Sequence, residues 1–297
     1  MGIHASLAAS LLRQEAAADD AWESTFRQMT LFDLAADMEL GFFLSYYRNF
    51  AIPGIAETLA QNGEIPLRPM KRSYDTAIAI YELIANGFDS DRGRAMVTLL
   101  NRVHRHVPGT RDDFLYVLIT LLVVPIRWVQ RHAWRQPTAE ELEAATRFFA
   151  ELGKRMNIPG MHASFSDAER FFDDYEAANI GPSAAGQSLL ASTVQVFQSR
   201  LPLFLRPVAR PLLSAMLDDD RLVSALGLPR ATGLSRGAVR AGLWLRNGIY
   251  RRRPLSPDPH FVSGQAGSSL YPGGYSLGQI GPINVPSAQS AVSDEIS

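Results

Sequence analysis

Apolar residues recur at helical spacing along most of the chain, up to about residue 253. Residues three and four positions apart share one face of an α-helix, so such runs predict amphipathic helices. No alternation of apolar and polar residues is long enough to predict a sheet. The pattern therefore predicts an all-α fold, with helices over residues 5–18, 28–48, 52–61, 69–86, 91–106, 111–131, 139–156, 167–179, 184–199, 202–217, 219–226 and 234–250.

Helix boundaries are marked by capping residues. A Ser or Thr followed three residues later by an acid is typical of a helix start, because each side chain can satisfy an orphan backbone N–H. Gly and Asn-Gly sites are typical of helix ends. The starts are Thr110 with Asp113, Thr138 with Glu141 and Ser166 with Glu169, and the ends fall at 86–87, 108–109, 157–160 and 227–229.

The composition changes after "YRRRPLSPDPH". Residues 256–297 are rich in Gly, Ser and Pro and nearly uncharged, a composition typical of disorder. We therefore expect a single multi-helix globular domain of about ten to twelve helices over residues 1–255, followed by a disordered C-terminal tail over residues 256–297.

Composition excludes several classes of function. The 297 residues are 46% hydrophobic and 20% charged, with a net charge of −1 that predicts no nucleic-acid binding. The absence of cysteine excludes disulfides, thiolate metal sites and a cysteine nucleophile. The longest apolar run, residues 114–126, contains Pro125 and is too short for a transmembrane segment. The start "MGIHAS" fits the short myristoylation pattern but has no basic region of a secretory signal, so we expect a cytoplasmic protein.

Six histidines are the candidate metal ligands, and two of them end one predicted helix. On helix 91–106, Met96, Leu100 and Val103 form one apolar stripe, and His104 borders it. His106 points off the stripe. His104 is thus the inward histidine, either as a ligand or as a hydrogen-bonded core residue, which is the commoner role for a lone histidine on an apolar face.

The preceding helix brings two cations toward His104. Helices 69–86 and 91–106 form a predicted helical hairpin, in which Lys71 and His104 lie at similar distances from the turn. Arg68 and Lys71 are three residues apart and share a face. The pattern predicts a basic pair beside an inward histidine in an apolar pocket, although solvated charges at a helix start are the ordinary alternative.

Several familiar catalytic motifs are absent. The chain has no E-x-x-H pair for a di-iron site and no H-E-x-x-H, G-x-G-x-x-G or P-loop sequence. Without cysteine, a haem thiolate and covalent haem attachment are excluded. A non-covalent haem on a histidine stays open.

From Met38 to about Pro229 the chain resembles a known family, in the order and spacing of several stretches. They are "ELGFFLSYYRNFAIPGIAETLA", "RPMKRSYDTAIAIYELIANGFDSDRGRAMVTLLNRVHRHV", "DDFLYVLITLLVVPIRWV", "WRQPTAEELEA" and "ELGKRMNIPG". The family is that of the MpaB-type oxygenases, which share a catalytic domain with the latex-clearing rubber oxygenases. The resemblance implies an all-helical domain that binds haem b through a histidine.

Carried over by position, the resemblance implies that His104 is the ligand of the haem iron. It also implies that Arg68 and Lys71 lie on the distal side of the haem, with Arg72 where the family has a threonine. The base proposed for rubber cleavage has no clear counterpart, and the candidate for it is Glu57. Arg127 is a candidate partner of a haem propionate, because a guanidinium binds a carboxylate in bidentate fashion, with a surface or structural ion pair as its alternative.

The expected function is a haem b-dependent oxygenase that uses O₂ to cleave a carbon–carbon double bond of an apolar, isoprenoid-like small molecule. The alternative is a cofactor-free helical protein that binds a lipid or a partner through apolar grooves. The oligomeric state is not predicted. An absorption spectrum with or without a haem Soret band distinguishes the two.

Overall fold

The computed structural model describes residues 21–217, 219–252, 256–265 and 270–282. Within these ranges the chain is helical, with no strand and a single isolated bridge between Val262 and Gln265. The helices are α1 (residues 21–28), α2 (Ala35–Arg48), α3 (Pro53–Gln61), α4 (Glu64–Leu67), α5 (Pro69–Asn86), α6 (Asp91–His104), α7 (Arg111–His132), α8 (Ala139–Arg155), α9 (Phe165–Asn179), α10 (Ala184–Ser199), α11 (Ala209–Leu217), α12 (Asp220–Ala225) and α13 (Gly233–Tyr250). The predicted all-α fold is confirmed.

Most predicted helix boundaries agree with the structure to within two residues, and 69–86 and 184–199 match. The predicted helix 28–48 in fact consists of a π-turn at Met29–Asp33 followed by α2, and α1, which ends where the π-turn begins, was not predicted. The predicted helix 202–217 begins with 3₁₀ turns at Leu203–Val208. The short helix α4 was not predicted, and the predicted helix 5–18 lies outside the described residues.

Two of the three predicted capping boxes are present. Thr110 and Thr138 each accept the backbone N–H three residues on, and the acids there bond back to the cap. The third prediction is corrected, because the cap of α9 is Ser164, which accepts from the N–H of Asp167. The stretch contains two overlapping Ser-x-x-acid patterns, and the helix uses the earlier one.

Helix α7 is the centre of the domain. It packs along α2 and against α8 and α9, and twelve of its residues are buried. The approach to α2 is close: a Cβ added at Gly41 would lie 2.3 Å from the Cα of Pro125. Helix α10 packs against α3, α4 and α5, while α5 packs against α6. The α5–α6 hairpin and residues from the first half of α7 border one cavity.

The predicted tail departs most from expectation. Residues 256–265 and 270–282 pack on the helical domain, and Tyr271, Tyr275 and Ile280 are buried. The N–H of His260 donates to the carbonyl of Leu31 at 2.8 Å. Disorder was therefore the wrong prediction for these two stretches. Few apolar side chains are enough to order a segment when buried carboxylates of the domain also accept its hydrogen bonds. The remainder of 256–297 lies outside the described residues.

Candidate active site

A cavity of about 500 Å³ lies between α3, α5, α6 and α7. Its walls are largely apolar, and its volume is in the range of small-molecule binding sites. The apolar stripe predicted on α6 supplies one of these walls, and apolar residues of α3, α5 and α7 supply the others. They include Ile55 and Leu59 from α3, Ala79 and Ile80 from α5, Met96, Leu99, Leu100 and Val103 from α6, and Val117, Leu118 and Leu121 from α7.

His104 is the last residue of α6 and lines this cavity. Its Nδ1 lies 2.8 Å from the carbonyl oxygen of Leu100, one turn back on the same helix. Because a carbonyl only accepts, Nδ1 must carry the proton, and Nε2 keeps its lone pair. No described residue hydrogen-bonds Nε2. This is the arrangement by which proteins orient a metal-ligating imidazole.

Burial lowers the pKa of His104, and the positive charge of Arg72 lowers it further, whereas the hydrogen bond to Leu100 opposes the shift. The imidazole is therefore neutral at neutral pH, which is the form that binds metals. His106 is exposed in the turn after α6 and contributes to the rim of the cavity. The structure thus places His104 inward and His106 at the rim, as the helix stripe predicted.

The cations predicted beside His104 lie elsewhere. Arg68 precedes α5 and pairs with Glu64 at 2.6 Å, and neither Arg68 nor Lys71 lines the cavity. The Lys71 ammonium contacts the Asp75 carboxylate and the carbonyl oxygens of residues 279 and 281, the last two at 3.0 Å each. The structure thus uses Lys71 to hold the C-terminal segment.

Arg72 is the arginine that reaches the cavity wall in the described part of the chain. Its guanidinium donates to the hydroxyl of Thr76 at 2.9 Å, and both residues line the cavity. The spacing of 72, 76 and 79 places them on one face of α5, so a helical wheel of α5 would have identified Arg72. The acids on the wall are Glu64, Asp75 and Asp113, whereas Glu57 is exposed on α3.

Arg127 is not part of this cavity. It donates to Glu169 at 2.7 Å and to both oxygens of Asp173, and lines a separate polar cavity of about 380 Å³. The alternative role given to Arg127, a structural ion pair between α7 and α9, is the one its contacts support. Its placement offers no support for a role beside His104.

A third pocket, of about 570 Å³, adjoins the apolar cavity, and His104 borders both. Its wall includes Arg105 and Arg111, for which the described residues provide no carboxylate partner. From the sequence, Arg105 was expected to point away from the apolar stripe of its helix, and Arg111 was given no role. His104 therefore stands between an apolar cavity and a pocket bordered by positive charge.

The C-terminal segment completes the cavity. We call residues 270–282 the strap, and its Ile280, Gly281 and Pro282 line the cavity wall. The Tyr271 hydroxyl donates to Asp75 at 2.7 Å, and the Tyr275 hydroxyl donates to Glu82. Both carboxylates are buried on α5, at 3% and 0% exposure. The strap therefore replaces solvent over a charged stripe of α5.

An all-helical domain built around an apolar cavity with one oriented imidazole defines a small-molecule-binding helical protein. The family model described as the catalytic domain of ER-bound oxygenase mpaB/B' and rubber oxygenase matches residues 29–247. The chain belongs to this family of oxygenase catalytic domains.

Sequence identity to two relatives shows how similar the chain is to them. ER-bound oxygenase mpaB' of Penicillium brevicompactum is 28% identical over 198 residues, which are 61% of this chain and 47% of that protein. ER-bound oxygenase mpaB of Penicillium roqueforti (strain FM164) is 26% identical over 198 residues, 61% of this chain and 66% of that protein. The chain thus matches 47% and 66% of the length of these relatives. Among the described helices, none has the length and apolarity required to cross a bilayer.

Proposed function

We propose that this protein is an oxygenase that holds haem b through Nε2 of His104 and cleaves a carbon–carbon double bond of an apolar small molecule. Membership of the oxygenase catalytic-domain family supports the reaction class. The observation that carries the cofactor is the imidazole of His104, whose Nδ1 is committed to Leu100 while Nε2 has no described partner.

The residues present fit a haem. A five-coordinate haem needs a single protein ligand to iron, so the absence of a three-residue metal cluster among the described residues does not bear on it. Apolar walls suit the porphyrin face, and Arg105 and Arg111 in the adjoining pocket suit its carboxylates. Haem iron, when bound, supplies activation of O₂.

The chain's own residues supply orientation, charge and exclusion of water. Arg72 brings N–H donors and a positive charge to the apolar wall, where such a charge acts more strongly than in water. This is the distal role that the resemblance assigns to Arg68 and Lys71, and we propose Arg72 for it. The apolar walls select a substrate without charge, and insertion of both atoms of O₂ into a C=C bond yields two carbonyl groups.

The test compares two neighbouring histidines. His104→Ala should purify with little or no haem and show a weak Soret band, because it loses the bond to iron. His106→Ala is the matched control and should keep the Soret band of the unmodified protein. Far-UV circular dichroism of both variants checks that the helices are intact.

The reverse result would show that His106 is the ligand. A wild-type protein that shows no Soret shift after reconstitution with haem would favour the cofactor-free lipid- or partner-binding alternative. For the reaction, squalene serves as an isoprenoid polyene, and hydrazine trapping of carbonyl products should depend on His104 and O₂. If haem binds but no polyene yields carbonyls, the cofactor assignment stands and C=C cleavage fails.

A further inference from the structure

The strap, residues 270–282, provides part of the wall of the His104 cavity although it lies outside the family domain, residues 29–247. Ile280 is buried, at 6% exposure, in a small cluster with Ile78, Tyr271 and Tyr275. Leu99 packs against this cluster and also lines the cavity. The strap thus adds an apolar surface that the matched domain does not itself contain.

The strap approaches the His104 helix closely. Gly281 has a φ of +100°, a conformation that L side chains rarely adopt. A Cβ added there would lie 3.6 Å from Cγ2 of Val103, the residue before His104. A glycine therefore lets the strap backbone turn at the cavity wall, with Ile280 and Pro282 on either side of it.

Charged residues of α5 fix this position. Lys71, Asp75, Ile78 and Glu82 recur at helical spacing and form the stripe that the strap covers. The Asp75 carboxylate accepts from the Tyr271 hydroxyl and, at 2.9 Å, from the N–H of Gly281. Buried charges with several partners define one geometry, because any other placement of the strap leaves a carboxylate without its donors.

We propose that the strap is the specificity element of the His104 cavity, with Ile280 and Pro282 contacting the apolar ligand and setting the largest molecule that fits. Lys71 and Asp75 are positioning residues that hold this wall. The proposal rests on the proposed function only in taking the same cavity as the ligand site. It predicts that strap substitutions change ligand size preference without changing the imidazole of His104.

The experiment uses the full chain as purified, with a neutral fluorescent probe, N-phenyl-1-naphthylamine, displaced by n-alkanols of increasing length. Each buried methylene should strengthen displacement by about fourfold until the cavity is filled. Beyond that chain length the affinity should stop rising, and we call this length the plateau. Ile280→Ala removes three side-chain carbons, and a truncated core site relaxes only partly, so the plateau should move to alcohols about two carbons longer. Ile280→Trp should move it to shorter alcohols.

Val262→Ala is the matched control, since Val262 is 44% exposed in the neighbouring segment and does not line the cavity. It should leave the plateau where it is. Tyr271→Phe removes the hydroxyl that donates to Asp75 and leaves Ile280 unchanged. It should make the rise in affinity with chain length stop less sharply. The expected result is opposite shifts for the two Ile280 variants, each with a helical far-UV circular dichroism spectrum like that of the control.

The proposal is overturned if both folded Ile280 variants keep the wild-type plateau, or if the probe binds but is displaced with no dependence on chain length. The two proposals fail separately. An Ile280-dependent plateau in a protein that never binds haem would refute the haem oxygenase and leave the strap assignment intact. A Soret band that depends on His104, with a plateau that does not change in the Ile280 variants, would support haem binding and refute the strap assignment.

Discussion

Asp75→Asn should destabilise the protein strongly, because Asp75 joins the strap to α5. The carboxylate is 3% exposed and pairs with the Lys71 ammonium, which is 19% exposed. It also accepts from the Tyr271 hydroxyl and the Gly281 N–H, at 2.7 and 2.9 Å. The amide of Asn can accept at one atom only, so one of these donors faces an NH₂ group, and the ammonium loses its counter-charge.

The expected magnitude follows from those contacts. Removing one partner of a buried ion pair costs about 3–5 kcal/mol. Lys71 keeps the carbonyls of residues 279 and 281, so we expect about 3 kcal/mol, at the lower end of that range. For a domain of this size that corresponds to a midpoint lower by roughly 6–12 °C.

A double-mutant cycle isolates the pair. Lys71→Met alone should destabilise by a similar amount, because it leaves Asp75 buried with two neutral donors. Lys71→Met with Asp75→Asn should be less destabilising than the sum by about 2 kcal/mol, since neither charge is then left unpaired. Urea denaturation monitored by circular dichroism measures all four proteins. Additivity within about 0.5 kcal/mol would refute the coupling between Lys71 and Asp75 that is proposed to hold the strap.

Three further predictions concern other parts of the molecule. Gly41→Ala should cost about 1–3 kcal/mol or more in thermal denaturation, because its Cβ would lie 2.3 Å from the Cα of Pro125. Gly237→Ala, where a Cβ meets nothing within 4 Å, should instead stabilise its helix by about 0.5–1 kcal/mol, and equal effects would contradict the packing of α2 on α7. The folded pKa of His104 is lowered below its ordinary 6.5, so its stabilising contribution is complete above that pH and is lost as pH falls through the folded value. The thermal midpoint of the haem-free wild type relative to His104→Gln should therefore drop between about pH 7.5 and about pH 5, and a pH-independent difference would mean that the imidazole is solvated. Arg127→Ala should keep the Soret band and lower the free energy of unfolding by at most about 1 kcal/mol. A loss of haem in this variant would show that Arg127 contributes to haem binding and not only to ion pairs.

Much of the domain follows from local properties of the sequence. Helices 69–86 and 184–199 were predicted at the right residues because apolar periodicity and capping are both local. His104 was assigned to the inward edge of α6 for the same reason, since side-chain direction on a helix depends only on spacing. The family resemblance added a role for that residue which geometry alone does not provide.

What the sequence did not reveal depends on contacts between distant segments. Lys71 was predicted to lie beside His104 and Asp75 had no predicted role, yet the structure pairs them under Tyr271 and Gly281, about two hundred residues later in the chain. The low apolar content of the strap indicated disorder. Composition does not reveal that its tyrosines donate to Asp75 and Glu82, two buried carboxylates of α5. Arg72 and not Lys71 reaches the cavity since the two lie a hundred degrees apart on α5, and only the packing of α6 and the strap decides which side is the cavity.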